Sequence, residues 1–143
     1  LMVASKAGDV QLVNALLAAG ADPNLHARSA MSADDRWMLD RQSGSVALHF
    51  AADDGHADVV AALLAAGADA DARDKFDNPP LFRAAREGDE RVARLLLAAG
   101  APVDAPNFAG MSPLLMAAFN GQAPFVSYMA EQGADVRRVA ADG

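Results

Sequence analysis

Apolar residues fall along this chain in short helical stripes, and the stripes return at a fixed interval. Between residues 10 and 17, Val10, Leu12, Val13, Leu16 and Leu17 alternate with Gln11 and Asn14, a spacing that sets the apolar side chains on one helical face. Val59, Val60, Leu63 and Leu64 repeat the stripe, as do Val92, Leu95 and Leu96. Each is followed by a glycine (Gly20, Gly67, Gly100, and Gly133 after a looser copy), where a helix C-terminus turns left-handed. Gly67, Gly100 and Gly133 are spaced at 33 residues, and Gly20 precedes Gly67 by one such step plus 14. A second marker keeps the same step: Ala51-Ala52-Asp53-Asp54-Gly55 returns as Ala84-Ala85-Arg86-Glu87-Gly88 and as Ala117-Ala118-Phe119-Asn120-Gly121. Pro80 and Pro113 stand where a first helical turn tolerates proline. Each period therefore predicts two short antiparallel helices and a turn-rich segment that reaches the next unit. One such unit cannot bury its apolar face alone, so stacking must supply the stability.

Ahead of the second marker come Val46-Ala47-Leu48-His49-Phe50-Ala51, Pro79-Pro80-Leu81-Phe82-Arg83-Ala84 and Ser112-Pro113-Leu114-Leu115-Met116-Ala117. At this period, these hexapeptides resemble the T-P-L-H-x-A signature of the ankyrin repeat. The resemblance implies an all-α ankyrin solenoid of about four helix–turn–helix units with β-hairpin-like connecting loops. The expected organisation is a single domain over 1–143, with units near 1–24, 41–71, 72–104 and 105–136. An insertion occupies 25–40 between the first two units, and a further unit begins at 137–143. In the family, the Thr and His of the signature fix the start of the first helix by local hydrogen bonds. Here His49 alone keeps the imidazole and Ser112 alone a hydroxyl, while Phe82 and Leu115 are apolar, so looser capping is expected in the later units. Leu1 aligns with Leu48 and Gly143 with Gly110. Met2, Val3, Phe125 and Met129 are poor solvent-facing caps, so further sequence or contacts are expected at both ends.

The 14 extra residues lie between Asn24 and Gly44 and carry the one tryptophan. Ser32 and Asp35 resemble a capping box, with a turn or two of helix through Leu39. Two readings fit: a tolerated surface decoration, or a recognition element anchored by Trp37 and Met38.

Composition narrows the function classes. Apolar content is 52% with only 6% aromatic, so much of it is Ala and Leu suited to close-packed helices. Acidic residues outnumber basic ones 19 to 12, for a net charge of −7, which argues against a nucleic-acid partner. Cysteine is absent, which removes disulfide and thiolate chemistry and fits a reducing cytoplasm, although periplasmic or secreted location is also compatible. No run nears the roughly 18 apolar residues of a membrane span, so no membrane partner is expected.

Catalytic or metal chemistry has little to stand on. His49 and His56 match family positions with structural roles. His26 with Asp34 and Asp35 lacks zinc spacing. The pairs Asp34/Asp35 and Asp53/Asp54 are adjacent, and on helices would point apart. No phosphate-loop, zinc-protease, nucleophile-elbow or calcium-loop pattern occurs. The reading is no enzyme, no cofactor, no metal and no catalytic residue.

What the resemblance implies instead is binding of a protein or peptide partner at the concave face. The alternative is a scaffold or targeting segment of a larger protein whose catalytic domain lies elsewhere. Carried onto this sequence, the loop tips are Gln42 and Ser45, then Lys75, Phe76 and Asn78, then Phe108, Ala109 and Met111. The matching first-helix positions are Lys6 and Ala7, Asp53 and Asp54, Arg86 and Glu87, and Phe119 and Asn120. The surface is expected to be acidic toward the second unit and apolar, partly basic, toward the third and fourth. Exposed Phe76, Phe108 and Phe119 would need a partner to cover them, unless they tuck against neighbouring turns.

Overall fold

The computed structural model describes residues 1–27 and 44–137. Among them the chain forms eight α-helices and no strand. In chain order these are α1 (Met2–Ala7), α2 (Val10–Ala18), α3 (Ala47–Asp53), α4 (Ala57–Ala65), α5 (Pro80–Glu87), α6 (Glu90–Ala98), α7 (Pro113–Phe119) and α8 (Ala123–Glu131). The odd-numbered helices pack side by side as an inner row, and α2, α4 and α6 continue the outer row behind them. The two rows close on a single apolar core. Leu48, Leu81 and Leu114 repeat at the same position of successive inner helices and are fully buried; Leu63, Leu96 and Met129 do the same in the outer row. These equivalent side chains form the seam that joins one unit to the next.

The first outer helix departs from its sequence pattern. In α2 only Val13 is buried, and Leu12 is 48% exposed, although Val59, Val92 and Phe125 at the same repeat position are buried. Among the described residues α2 has a single outer helix beside it, whereas α4 lies between two.

Helix starts are fixed by different means in different units. Asp9 and Asp89 cap α2 and α6 by accepting backbone N–H bonds from Leu12 and from Arg91 and Val92. In α3, His49 Nδ1 accepts the Val46 N–H at 3.1 Å. The expected loosening occurs in α5, where Pro79 caps without a side-chain bond, but not in α7, where Ser112 Oγ accepts the Leu115 N–H at 3.2 Å.

The turn between the two helices of a unit is where glycine is required. Gly88 has φ 74°, and a Cβ there would land 2.5 Å from Gln122 Oε1 of the following unit. The Gln122 amide donates to the Arg86 carbonyl at 3.3 Å, a bridge that His56 Nε2 makes to the Lys6 carbonyl two interfaces earlier. Gly88→Ala is expected to lower the unfolding free energy by more than the about 1–2 kcal/mol of a left-handed alanine, because Gln122 must also move. Gly121→Ala, with φ 71° and open space around it, should show the backbone contribution alone. Urea denaturation of both variants checks this, and equal losses would disprove the inter-unit contact.

Candidate functional site: the inner face and its overhanging loops

The segment between α4 and α5 folds as a tight finger because one carboxylate organises it. Asp74 Oδ1 accepts N–H bonds from Phe76 (2.8 Å) and Asn78 (2.9 Å), and the Asp74 N–H donates to the Asn78 carbonyl at 3.2 Å. The next finger repeats the design with an amide. Asn107 Oδ1 accepts from Ala109 and Met111, each at 3.0 Å, and the Asn107 N–H donates to the Met111 carbonyl at 3.0 Å. The fingers are tied together by Phe108 N–H to the Phe76 carbonyl and by Asn107 Nδ2 to Asn78 Oδ1, both 2.9 Å. The connections are hairpin-like in hydrogen bonding without forming strands.

Two phenylalanines are thereby held out over the inner helices. Below them opens a slot of about 350 Å³ with Phe76, Phe82, Phe108, Met111 and Met116 on its walls. Arg83 and Arg86 also reach this slot, but both are occupied. Arg83, buried, places Nη2 2.6 Å from Asp74 Oδ2 and Nη1 3.8 Å from Asp53 Oδ1. Arg86 meets Asp53 at 2.5 Å and Glu87 at 2.8 Å. Burial works against the Arg86 charge, yet Glu87 and Asp53 outweigh it and hold its pKa above the ordinary guanidinium value. Burial likewise opposes the Asp74 charge, but the Asn78 and Arg83 hydrogen bonds keep its pKa below the usual carboxylate range.

The sequence-predicted binding residues fall into distinct places. Trp37, Met38 and Gln42 lie outside the described residues, as do Asp34 and Asp35. Phe76, Arg86, Phe108 and Met111 meet around the slot together with Asn78. Phe119 and Asn120 lie beyond it on the fourth unit, Phe119 being 80% exposed. Phe108 is 88% exposed, and Phe76 alone is partly tucked, at 41%, with the Lys75 ammonium 4.8 Å from its ring centre. Asp53, Asp54 and Glu87 line an adjoining cleft toward the second unit. Two of the expected loop-tip residues require correction. Ser45 and Asn78 are buried: the Ser45 carbonyl accepts the Ala27 N–H at 2.7 Å, and Asn78 is committed to Asp74 and Asn107. Both brace the loops, and Asn78 still borders the slot. The partly basic character expected near the third unit is also cancelled where it concerns Arg86, by its carboxylate partners.

Sequence reasoning missed Asp74, Phe82, Arg83, Asn107 and Met116. The available signal was in-register comparison: Asp74 and Arg83 in one unit stand where the next has Asn107 and Met116. A charged pair is exchanged for a neutral one at both positions together.

The histidines serve the fold. Because His49 Nδ1 accepts a backbone N–H, its Nε2 carries the proton and donates to the Asn78 carbonyl at 2.9 Å, pinning the finger to α3. Burial lowers the His49 pKa to about 4 against the pull of Asn78 and Asp74. Among the described residues no three His, Asp or Glu side chains gather as metal ligands, and no helix is long and apolar enough to cross a membrane.

Paired helices stacked in register, with fingers projecting over the inner row, define a helical repeat solenoid. A family model described as ankyrin repeats (3 copies) matches residues 1–107 and again residues 48–140. The chain belongs to the ankyrin repeat family. Members of this family are in general protein–protein interaction modules and typically non-catalytic. A search of curated proteins finds no match.

Proposed function

We propose that this chain works as one non-catalytic domain that binds a protein partner at its inner face, seating an apolar side chain of that partner beneath the paired fingers. The observation that carries the reading is the slot under Phe76 and Phe108. Phe108 is 88% exposed, yet its backbone is fixed by a hydrogen bond to the neighbouring finger. A large apolar ring held rigidly in water is unfavourable until something covers it, and a preorganised surface loses little entropy on association. Phe119 and Met111 extend the apolar contact toward the fourth unit, and Asn120 supplies a polar edge. The histidines support the non-catalytic part, since both ring nitrogens of His49 and one each of His26 and His56 are engaged in backbone hydrogen bonds.

The test is binding by the natural partner, captured from the source cells and then purified. Phe108→Ala is expected to weaken binding at least about ten-fold, as loss of a central aromatic anchor does, with helical content by circular dichroism unchanged. Phe119→Ala, farther from the slot, should weaken it less. Full affinity in the Phe108→Ala and Phe119→Ala double variant would refute this assignment of the face.

A further inference from the structure

We infer that the partner segment is cationic as well as apolar, its hydrophobic anchor in the finger slot and its Lys or Arg side chains toward the second unit. This rests on the inner-face reading above and adds the sign and direction of the partner's charge. Neither arginine at the slot is free to meet an acidic partner, because Arg86 is shared between Asp53 and Glu87 and Arg83 is held by Asp74. Asp53, the partner of the slot residue Arg86, also lines a cleft between the second and third units, where Asp53, Asp54, Glu87, Asp89 and Glu90 stand with a single guanidinium, Arg91. Arg86 and Arg94 offset part of this as partners of Asp53, Glu87 and Glu90, and the balance stays negative. Asp54 is exposed and has no ion-pair partner among the described residues.

The inner face is therefore graded along the stack. At equivalent helix positions the second unit shows Asp53 and Asp54, the third Arg86 and Glu87, and the fourth Phe119 and Asn120. From the second unit to the fourth, acid gives way to apolar surface, while the first unit carries Lys6 and Ala7 at these positions. An acidic segment laid across it would meet like charge on one side, and a purely apolar one would strip water from Asp54 and Glu87 without replacing it. A segment with an aromatic or long aliphatic residue beside lysine or arginine satisfies both ends. The chain's net charge of −7 favours the same partner at long range.

A displayed library of random peptides panned against the whole chain tests this, with enriched sequences then measured by fluorescence anisotropy at low and high salt. The expected winners join an apolar anchor to Lys or Arg, and their affinity falls as salt rises. Asp54→Asn with Glu87→Gln should lower affinity about five-fold at low salt and flatten the salt dependence, as loss of two exposed pairings does. Phe108→Ala should weaken binding at both salt concentrations and leave that dependence intact. Enrichment of acidic or uncharged sequences, no enrichment, or a salt dependence that survives the double carboxylate change overturns the charge assignment. Binding that ignores Phe108→Ala removes the slot, and with it both this inference and the reading beneath it.

Discussion

Replacing Arg83 with methionine is expected to destabilise the protein by about 3–5 kcal/mol, the loss typical of leaving one half of a buried ion pair behind. The side chain of Asp74 has no solvent-exposed area and lies 2.6 Å from Arg83. Without the guanidinium, that carboxylate keeps its bonds to Phe76, Asn78 and the Asn78 amide, yet its charge sits uncompensated in the interior. Steric fit is not the issue, since the same position is Phe50 in the second unit and Met116 in the fourth. The loss would come from electrostatics alone.

The fourth unit also shows how the loss should be reversed. There the finger is organised by Asn107, which accepts the same two backbone N–H bonds that Asp74 accepts, and the facing position is Met116. Asp74→Asn combined with Arg83→Met copies that neutral arrangement into the third unit. The double variant should lie close to the unaltered protein in stability, because replacing a whole buried pair by a neutral set is often harmless. The two single changes should each be costly, giving a coupling of several kcal/mol in a double-mutant cycle. Urea midpoints of the four proteins decide the matter. Additive losses would mean that the pair contributes no more than its separate packing.

How much of this was legible in the sequence depends on the range over which each interaction acts. The period was fully legible, because Leu48, Leu81 and Leu114 recur at one spacing and every copy faces the same seam. Leu12 was misplaced on the buried stripe because periodicity reports a helix face, whereas burial depends on how many neighbours that face meets. Phe108 could be placed on a loop tip by alignment with the family. Its exposure could not, being fixed by a hydrogen bond to Phe76 in the adjacent finger. Carrying the family's loop-tip positions onto this sequence puts Ser45 and Asn78 at the surface, whereas both are buried. Their burial follows from loop-to-loop and loop-to-helix bonds that local sequence does not encode. The acidic gradient across Asp53, Asp54 and Glu87 was visible as residue types, but the silencing of Arg86 needed coordinates.

Acidification should destabilise the protein well before its carboxylates are protonated, because of His49. The unfolded imidazole takes up a proton near its ordinary value of 6.5, while the folded one resists until about 4. Between those values the unfolded chain binds more protons, so stability falls as pH drops. The contribution is complete above pH 6.5, declines through the window and is exhausted below about 4. A difference of this size corresponds to about 3 kcal/mol. The direction follows from the hydrogen bonds: Nδ1 accepts from Val46 N–H, and protonating it would leave two N–H groups opposed in a buried site. Asp74 adds a further loss at lower pH, since its pKa lies below that of an unfolded carboxylate. The measurement is the urea midpoint at a series of pH values for the unaltered chain and for His49→Gln. The variant should start less stable, having lost a buried hydrogen-bond arrangement, and should show a much shallower decline between pH 6.5 and pH 4. If both proteins lose stability in parallel across that interval, His49 is not the group responsible.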